Sequence, residues 1–108
     1  MVQKAAPILE AHFLEQVIEL AQRRGWDYLH LVRAPYKDHW RTPFRGSLGK
    51  GFPDLMLCRR ERLLFLELKR QGEKATPDQI RVLGILGGAA ETMLVWPNDW
   101  DLIEQVLK

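Results

Sequence analysis

Cysteine is nearly absent. Cys58 is the only one in 108 residues, so no internal disulfide can form, as expected of a protein kept in a reducing cytoplasm. Cys58 lies in an apolar run, where a cysteine behaves as a small core residue. No apolar run approaches the roughly 18 residues of a membrane span, and the N-terminus has no apolar stretch of the signal-peptide kind. Repeats, low-complexity tracts and linker-like segments are missing too. The charge imbalance is small, +2 from 16 lysines and arginines against 14 aspartates and glutamates. Composition therefore does not mark a nucleic-acid binder, and the placement of the charge has to decide. The expectation is one domain over residues 1–108, and such a chain buries roughly two-thirds of its unfolded surface.

What the chain does have is concentrated in two short apolar runs, Gly51-Phe-Pro-Asp-Leu-Met-Leu-Cys58 and Leu63-Leu-Phe-Leu-Glu-Leu-Lys69. Both read as strands buried on two faces. The polar break Arg59-Arg-Glu-Arg62 between them has hairpin length. A hairpin centred between Arg60 and Glu61, with two or four loop residues, sets Asp54 directly opposite Glu67. Lys69 shares that face, roughly 6.6 Å further along its strand. Leu55, Leu57, Leu64, Leu66 and Leu68 point to the other face. Opposed carboxylates on neighbouring strands repel, so the pair calls for something positive between them. A divalent cation with oxygen ligands, Mg²⁺ or Mn²⁺, fits that need. One bulge in the loop would shift the register and spoil the geometry. The alternative is plain: Asp54 as a turn residue after proline, and Glu67 with Lys69 as an exposed ion pair.

Upstream, residues 8–24 read as a helix with Pro7 ahead of it. Phe13, Leu14, Val17, Ile18, Leu20 and Ala21 fall on one arc at about 100° per residue. Glu10 projects to the middle of that arc. It either lies in a frayed first turn that favours the helix dipole, or it faces Asp54 and Glu67 as a further metal ligand or catalytic group. Gly25 closes the helix. A strand over 26–32 follows, with Tyr28, Leu29 and Leu31 expected to pack, and with His30 as a weak catalytic candidate.

Residues 33–51 read as one long irregular segment. It carries Arg33, Lys37, Arg41, Arg45 and Lys50 with Asp38 as its only acid, and Tyr36, Trp40 and Phe44 between them. Loops this long in small domains are usually functional. Clustered cations interleaved with aromatics suit a phosphate backbone and exposed bases, so these five cations are the DNA-contact candidates. The other reading is a solvated loop whose aromatics cover the core edge.

After Lys69 comes the polar loop Arg70–Ala75. Thr76-Pro-Asp-Gln79 then has the form of a helix start, with Thr76 as N-cap, Pro77 at the first position and Gln79 completing a capping box. The helix runs to about Leu86 with Ile80, Val82, Leu83 and Leu86 inward. A strand over 92–96 stops at Pro97, and Asn98 or Asp99 caps a last helix carrying Trp100, Ile103, Val106 and Leu107. The order is α-β-β-β-α-β-α, an α/β fold with a mixed sheet flanked by helices.

Pro-Asp at 53–54, Glu-Leu-Lys at 67–69 and Pro-Asp-Gln at 77–79, in that order and spacing, resemble the PD-(D/E)XK nuclease superfamily and within it the VRR-NUC branch. These are small nuclease domains found alone in phages or fused to larger repair enzymes. The resemblance runs from about Glu10 to the C-terminus. It implies a restriction-endonuclease-like core and a metal held by Asp54, Glu67 and the main-chain carbonyl of Leu68. It also implies Lys69 as the group that orients water or stabilises developing charge, a helix-one glutamate matching Glu10, and Gln79 beside the active site.

The function that follows is a Mg²⁺- or Mn²⁺-dependent DNA endonuclease, selective for branched DNA such as Holliday junctions. Symmetric cutting of a junction would need a homodimer. The setting implied is the cytoplasm of a bacterial or phage-infected cell, with no membrane partner. The competing readings are a less selective flap or single-strand nuclease, an RNA-cleaving enzyme, and a non-catalytic nucleic-acid-binding module on the same fold.

Overall fold

The computed structural model describes residues 10–32, 34–36, 39–41 and 45–108, and only the backbone of Glu10 and of residues 34–36 and 39–41. Helix α1 spans Glu10–Arg23. Strand β1 is Asp27–His30, β2 is Ala34–Tyr36 and β3 is His39–Arg41. The central hairpin is β4, Leu55–Arg59, and β5, Arg62–Leu68. Helix α2 is Pro77–Gly87 and β6 is Glu91–Val95. A single 3₁₀ turn, Pro97–Asp99, leads into α3, Trp100–Val106. Among the described residues no helix is long and apolar enough to cross a membrane.

The sheet runs β1-β4-β5-β6, antiparallel except for the parallel pair β5–β6. The result is an α/β domain with a mixed four-stranded sheet and three helices among the described residues. The segment expected to be irregular over 33–51 instead contains the small antiparallel pair β2–β3, with Ala34 opposite Arg41 and Tyr36 opposite His39. Hydrogen bonds between these short strands satisfy backbone groups that an irregular loop would leave to water.

The central hairpin has the predicted register. Leu55 pairs with Leu66, Leu57 with Leu64 and Arg59 with Arg62, leaving Arg60 and Glu61 as a two-residue loop. Arg60 turns the chain at φ +56°, a left-handed conformation that costs a non-glycine residue about 1–2 kcal/mol.

One face of the sheet carries Leu55, Leu57, Leu64, Leu66, Leu68 and Val95. They form one buried core with Phe13, Val17, Ile18, Leu20 and Ala21 of α1, Trp26, Ile103 and Leu107. Each such side chain contributes about 1.5–3 kcal/mol on burial. The other face holds Phe65 and Glu67, and α2 lies over its β5–β6 half with Val82 buried.

Several packing expectations are corrected. Ile80 is 59% exposed, Leu29 50% and Tyr28 43%, and Cys58 is exposed rather than in the core. Burial in a strand requires a partner layer on that face. β1 is an edge strand, and α2 does not extend over the end of β4 where Cys58 pairs with Leu63. On α2, Ile80 lies off the face that buries Val82. Asp99 stands at the N-cap of α3, but its carboxylate accepts from the amide of Trp96 at 2.9 Å instead of capping that helix.

Three arginines are consumed in closing the fold. The guanidinium groups of Arg59 and Arg62 lie 4.6 and 5.0 Å from the centroid of the Trp26 ring. Arg59 donates to the carbonyls of Arg24, Leu107 and Lys108. Arg62 donates to the Val106 carbonyl and grips Glu91 with two bonds of 2.8 and 2.7 Å. Arg24 donates to the Glu104 carbonyl. The carbonyls of Glu104, Val106, Leu107 and Lys108 lie at the end of α3, where cations complement the negative end of the helix.

Candidate active site

Asp54 immediately precedes β4, and Glu67 is the second-last residue of β5. Extending the hairpin ladder one pair beyond Leu55–Leu66 sets these two carboxylates opposite each other. Asp54 is held by its own backbone and by its side chain. Its carbonyl accepts from the Leu31 amide at 3.0 Å, and its Oδ2 accepts from the Leu68 amide at 2.9 Å. Lys69 continues the line of β5 through a hydrogen bond from its amide to the Val95 carbonyl at 2.9 Å.

Glu67 and Lys69 are the charged side chains within the buried set, 2% and 4% exposed. Oε1 of Glu67 lies 3.5 Å from Nζ of Lys69 and accepts from Nε2 of Gln79 at 2.9 Å. Oε2 of Glu67 is buried and receives no hydrogen-bond donor, and the Glu67 and Asp54 carboxyl groups lie within hydrogen-bond reach of each other. Burial, and then the charge of Asp54, push the Glu67 carboxyl up to about 8. Burial also raises Asp54, and the Leu68 amide and the Lys69 ammonium pull it part of the way back. His30 makes the same favourable contribution to Asp54, the smallest of those named.

Gln79 reaches Glu67 because of the local sequence that starts α2. Thr76 accepts the Gln79 amide at 3.2 Å, and Oε1 of Gln79 accepts the Thr76 amide at 2.8 Å. The capping box uses the oxygen of the side-chain amide and leaves its nitrogen for Glu67. Gly51 brings the preceding loop against this helix start. At φ +91°, a Cβ at position 51 would fall 2.5 Å from the Asp78 carbonyl carbon and 2.7 Å from the Gln79 nitrogen.

These groups line a cleft of about 490 Å³ that also takes in Lys50, Glu73 and Asp78. Leu31, Gly49 and Phe52 are shared with an adjoining apolar hollow of about 400 Å³, floored by Leu29 and Met56 and edged by Arg45. The ionisable groups in contact lie in the charged cleft, and the described lining of the hollow holds no such pair.

Of the residues singled out from the sequence, Asp54, Glu67, Lys69 and Gln79 converge. Leu68 joins them through its amide, which holds Asp54; the resemblance concerned its carbonyl, as a metal ligand. Glu10 opens α1, and its side chain lies outside the described residues. Arg33 and Lys37 lie outside them too, as does the side chain of Arg41. Arg45 is exposed at the rim of the hollow. Lys50 is exposed at the cleft edge, 3.5 Å from Asp78. Among the described residues, no three His, Cys, Asp or Glu side chains are grouped so as to hold a metal. Sequence reasoning missed Glu73, whose Oε2 is 4.0 Å from Nζ of Lys69. The spacing of four gave no signal, because those residues are not in a helix.

Compared with known proteins, the chain matches no family model, no curated protein and no solved structure.

Proposed function

We propose that the chain is a divalent-metal-dependent DNA endonuclease with a PD-(D/E)XK core of VRR-NUC type, acting on branched DNA such as a Holliday junction. The observation that carries the reading is Oε2 of Glu67. It is a buried oxygen that receives no hydrogen-bond donor, on a carboxyl that faces Asp54 within hydrogen-bond reach and lies next to a buried lysine. Buried polar atoms are nearly always satisfied, and an exception calls for an explanation such as an ion. A site of this kind is unfavourable in a protein that only folds and favourable in one that receives a cation.

The donors fit Mg²⁺ or Mn²⁺. Mg²⁺ keeps several waters and needs only one or two carboxylates from the protein. Asp54 and Glu67 would hold it, with the Leu68 carbonyl as a third ligand by resemblance. When bound, the ion would lower the pKa of a coordinated water and polarise the phosphate. The Leu68 amide fixes Asp54, and Gln79 fixes Glu67 from the opposite side. Lys69, held within the cleft, orients the attacking water or steadies charge developing on the phosphate. Lys50 and Arg45, exposed along the cleft and the hollow beside it, suit successive phosphates of one strand. Symmetric cutting of a junction would bring two copies of the chain together.

The deciding experiment is cleavage of labelled four-way junction, flap, duplex and single-stranded DNA, with a matched RNA. Mg²⁺, Mn²⁺ and EDTA reactions would be run on the parent, Asp54→Ala and Lys69→Ala proteins. Metal-dependent cutting lost in both variants, with the junction preferred, is the expected outcome. Salt-sensitive binding without cutting of any substrate would sink the nuclease reading and leave a binding module.

A further inference from the structure

Lys69 is buried between two carboxyl groups. Its Nζ lies 3.5 Å from Oε1 of Glu67 and 4.0 Å from Oε2 of Glu73, beyond ordinary charged hydrogen-bond length in both cases. Gln79 already occupies Oε1 of Glu67, while Oε2 of Glu67 receives no hydrogen-bond donor. Glu73 itself is firmly seated. Its amide donates to the Arg70 carbonyl at 3.0 Å, and its Oε1 accepts from the Arg70 amide at 3.2 Å. Its carbonyl accepts from the Trp96 indole at 2.6 Å. Gly72, at φ +89°, makes the turn that allows this. These bonds fix residue 73 and leave its second carboxylate oxygen directed at Lys69.

We propose that Glu73 is a positioning residue that holds the Lys69 ammonium off the Asp54–Glu67 pair, so that a divalent cation can enter it. This rests on the metal-site reading above. The physical argument is competition for one anion. A buried ammonium does not stay without a counter-ion. Replacing the Glu73 carboxylate leaves Lys69 with Glu67 as its remaining carboxyl partner among the described residues, and Glu67 has an oxygen that receives no donor. The ammonium then closes on Glu67, and the internal ion pair competes with the cation. With Glu73 charged, the pull on Lys69 is divided and Glu67 keeps an oxygen for the metal. A Glu73 that served the turn alone would be replaced without consequence by glutamine, whose amide oxygen still accepts from Arg70.

A double-mutant cycle tests this by calorimetric titration of Mn²⁺ into the full chain without nucleic acid, using parent, Glu73→Gln, Lys69→Met and the double variant. Glu73→Gln should weaken Mn²⁺ binding about fivefold to tenfold when residue 69 is lysine, and less than about twofold when it is methionine. Thermal unfolding of metal-free Glu73→Gln should match the parent, since that side chain is partly exposed. An equal loss in both backgrounds would mean that Glu73 acts on the cation by its own charge, which overturns the proposal. Parent-like affinity in Glu73→Gln overturns it too and leaves the metal site standing. No Mn²⁺ binding by the parent removes the metal-site reading and this proposal together. Lys69→Gln gives the same comparison if methionine at that buried position prevents folding.

Discussion

Gln79 donates through Nε2 to Oε1 of Glu67 at 2.9 Å, while its own Oε1 accepts from the Thr76 amide at 2.8 Å. One side chain both closes the start of α2 and holds the buried carboxylate. Gln79→Glu separates the two roles. Glutamate preserves the capping box but removes the donor and adds a third carboxylate beside Glu67. The protein should lose about 2 kcal/mol of stability in urea denaturation. Gln79→Ala should lose about 1 kcal/mol more through the cap. Equal stability of Gln79→Glu and the parent would show that the contact with Glu67 contributes nothing.

The raised Glu67 carboxyl makes metal-free stability depend on pH. In the folded chain it keeps its proton to about pH 8, against an ordinary value of 4.5. Its contribution to stability is full below pH 4.5 and is lost as pH rises through 8. Each pH unit of separation is worth about 1.4 kcal/mol, so the decline amounts to a few kcal/mol. Glu67→Gln should flatten this dependence and be the more stable protein at pH 8. Urea denaturation of both proteins from pH 4 to pH 9 is the check. Parallel curves would refute the burial argument.

Mn²⁺ should bind more tightly as pH rises toward 8, because the cation displaces the proton that Glu67 otherwise holds. Calorimetry in two buffers of different ionisation enthalpy should register proton release at pH 7. At pH 8, Mn²⁺ should raise the melting temperature of the parent and leave Glu67→Gln unchanged.

Gly51 touches the start of α2 so closely that a side chain has nowhere to go. Gly51→Ala introduces a methyl group 2.5–2.7 Å from the backbone of Asp78 and Gln79, at φ +91°. The expected loss is about 2–4 kcal/mol, from the left-handed backbone and the clash together. The helix start also moves, so cleavage should fall by more than the unfolded fraction explains. Activity of the folded fraction equal to the parent's would remove Gly51 from the positioning of Gln79.

The cations fall into two structural classes. Arg59 packs on Trp26 and binds three carbonyls, whereas Arg45 and Lys50 are exposed beside the cleft. Arg59→Ala should destabilise the fold by about 2 kcal/mol without changing the salt slope of DNA binding. Arg45→Ala and Lys50→Ala should each lower that slope by about one and leave stability within about 0.5 kcal/mol. Binding isotherms at several salt concentrations separate the two classes.

The sequence by itself determined the features set by short-range chemistry. A two-residue loop between apolar runs fixed the pairing of Leu55 with Leu66, and with it the facing of Asp54 and Glu67. The Thr76–Gln79 capping box was equally legible, because a cap depends on only four consecutive residues. Tertiary structure decided what depends on which layer covers which face. Tyr28, Leu29 and Cys58 are apolar positions in strands, yet they are exposed because β1 is an edge and α2 covers only part of the sheet. It also decided that Gln79 reaches Glu67, that the Leu68 amide holds Asp54, and that Glu73 returns to Lys69. No local rule carries those contacts. They follow from docking the start of α2 on Gly51 and tying the loop before it to Trp96. Hydrophobic periodicity says which residues seek burial, and only the packed chain says which of them find a partner.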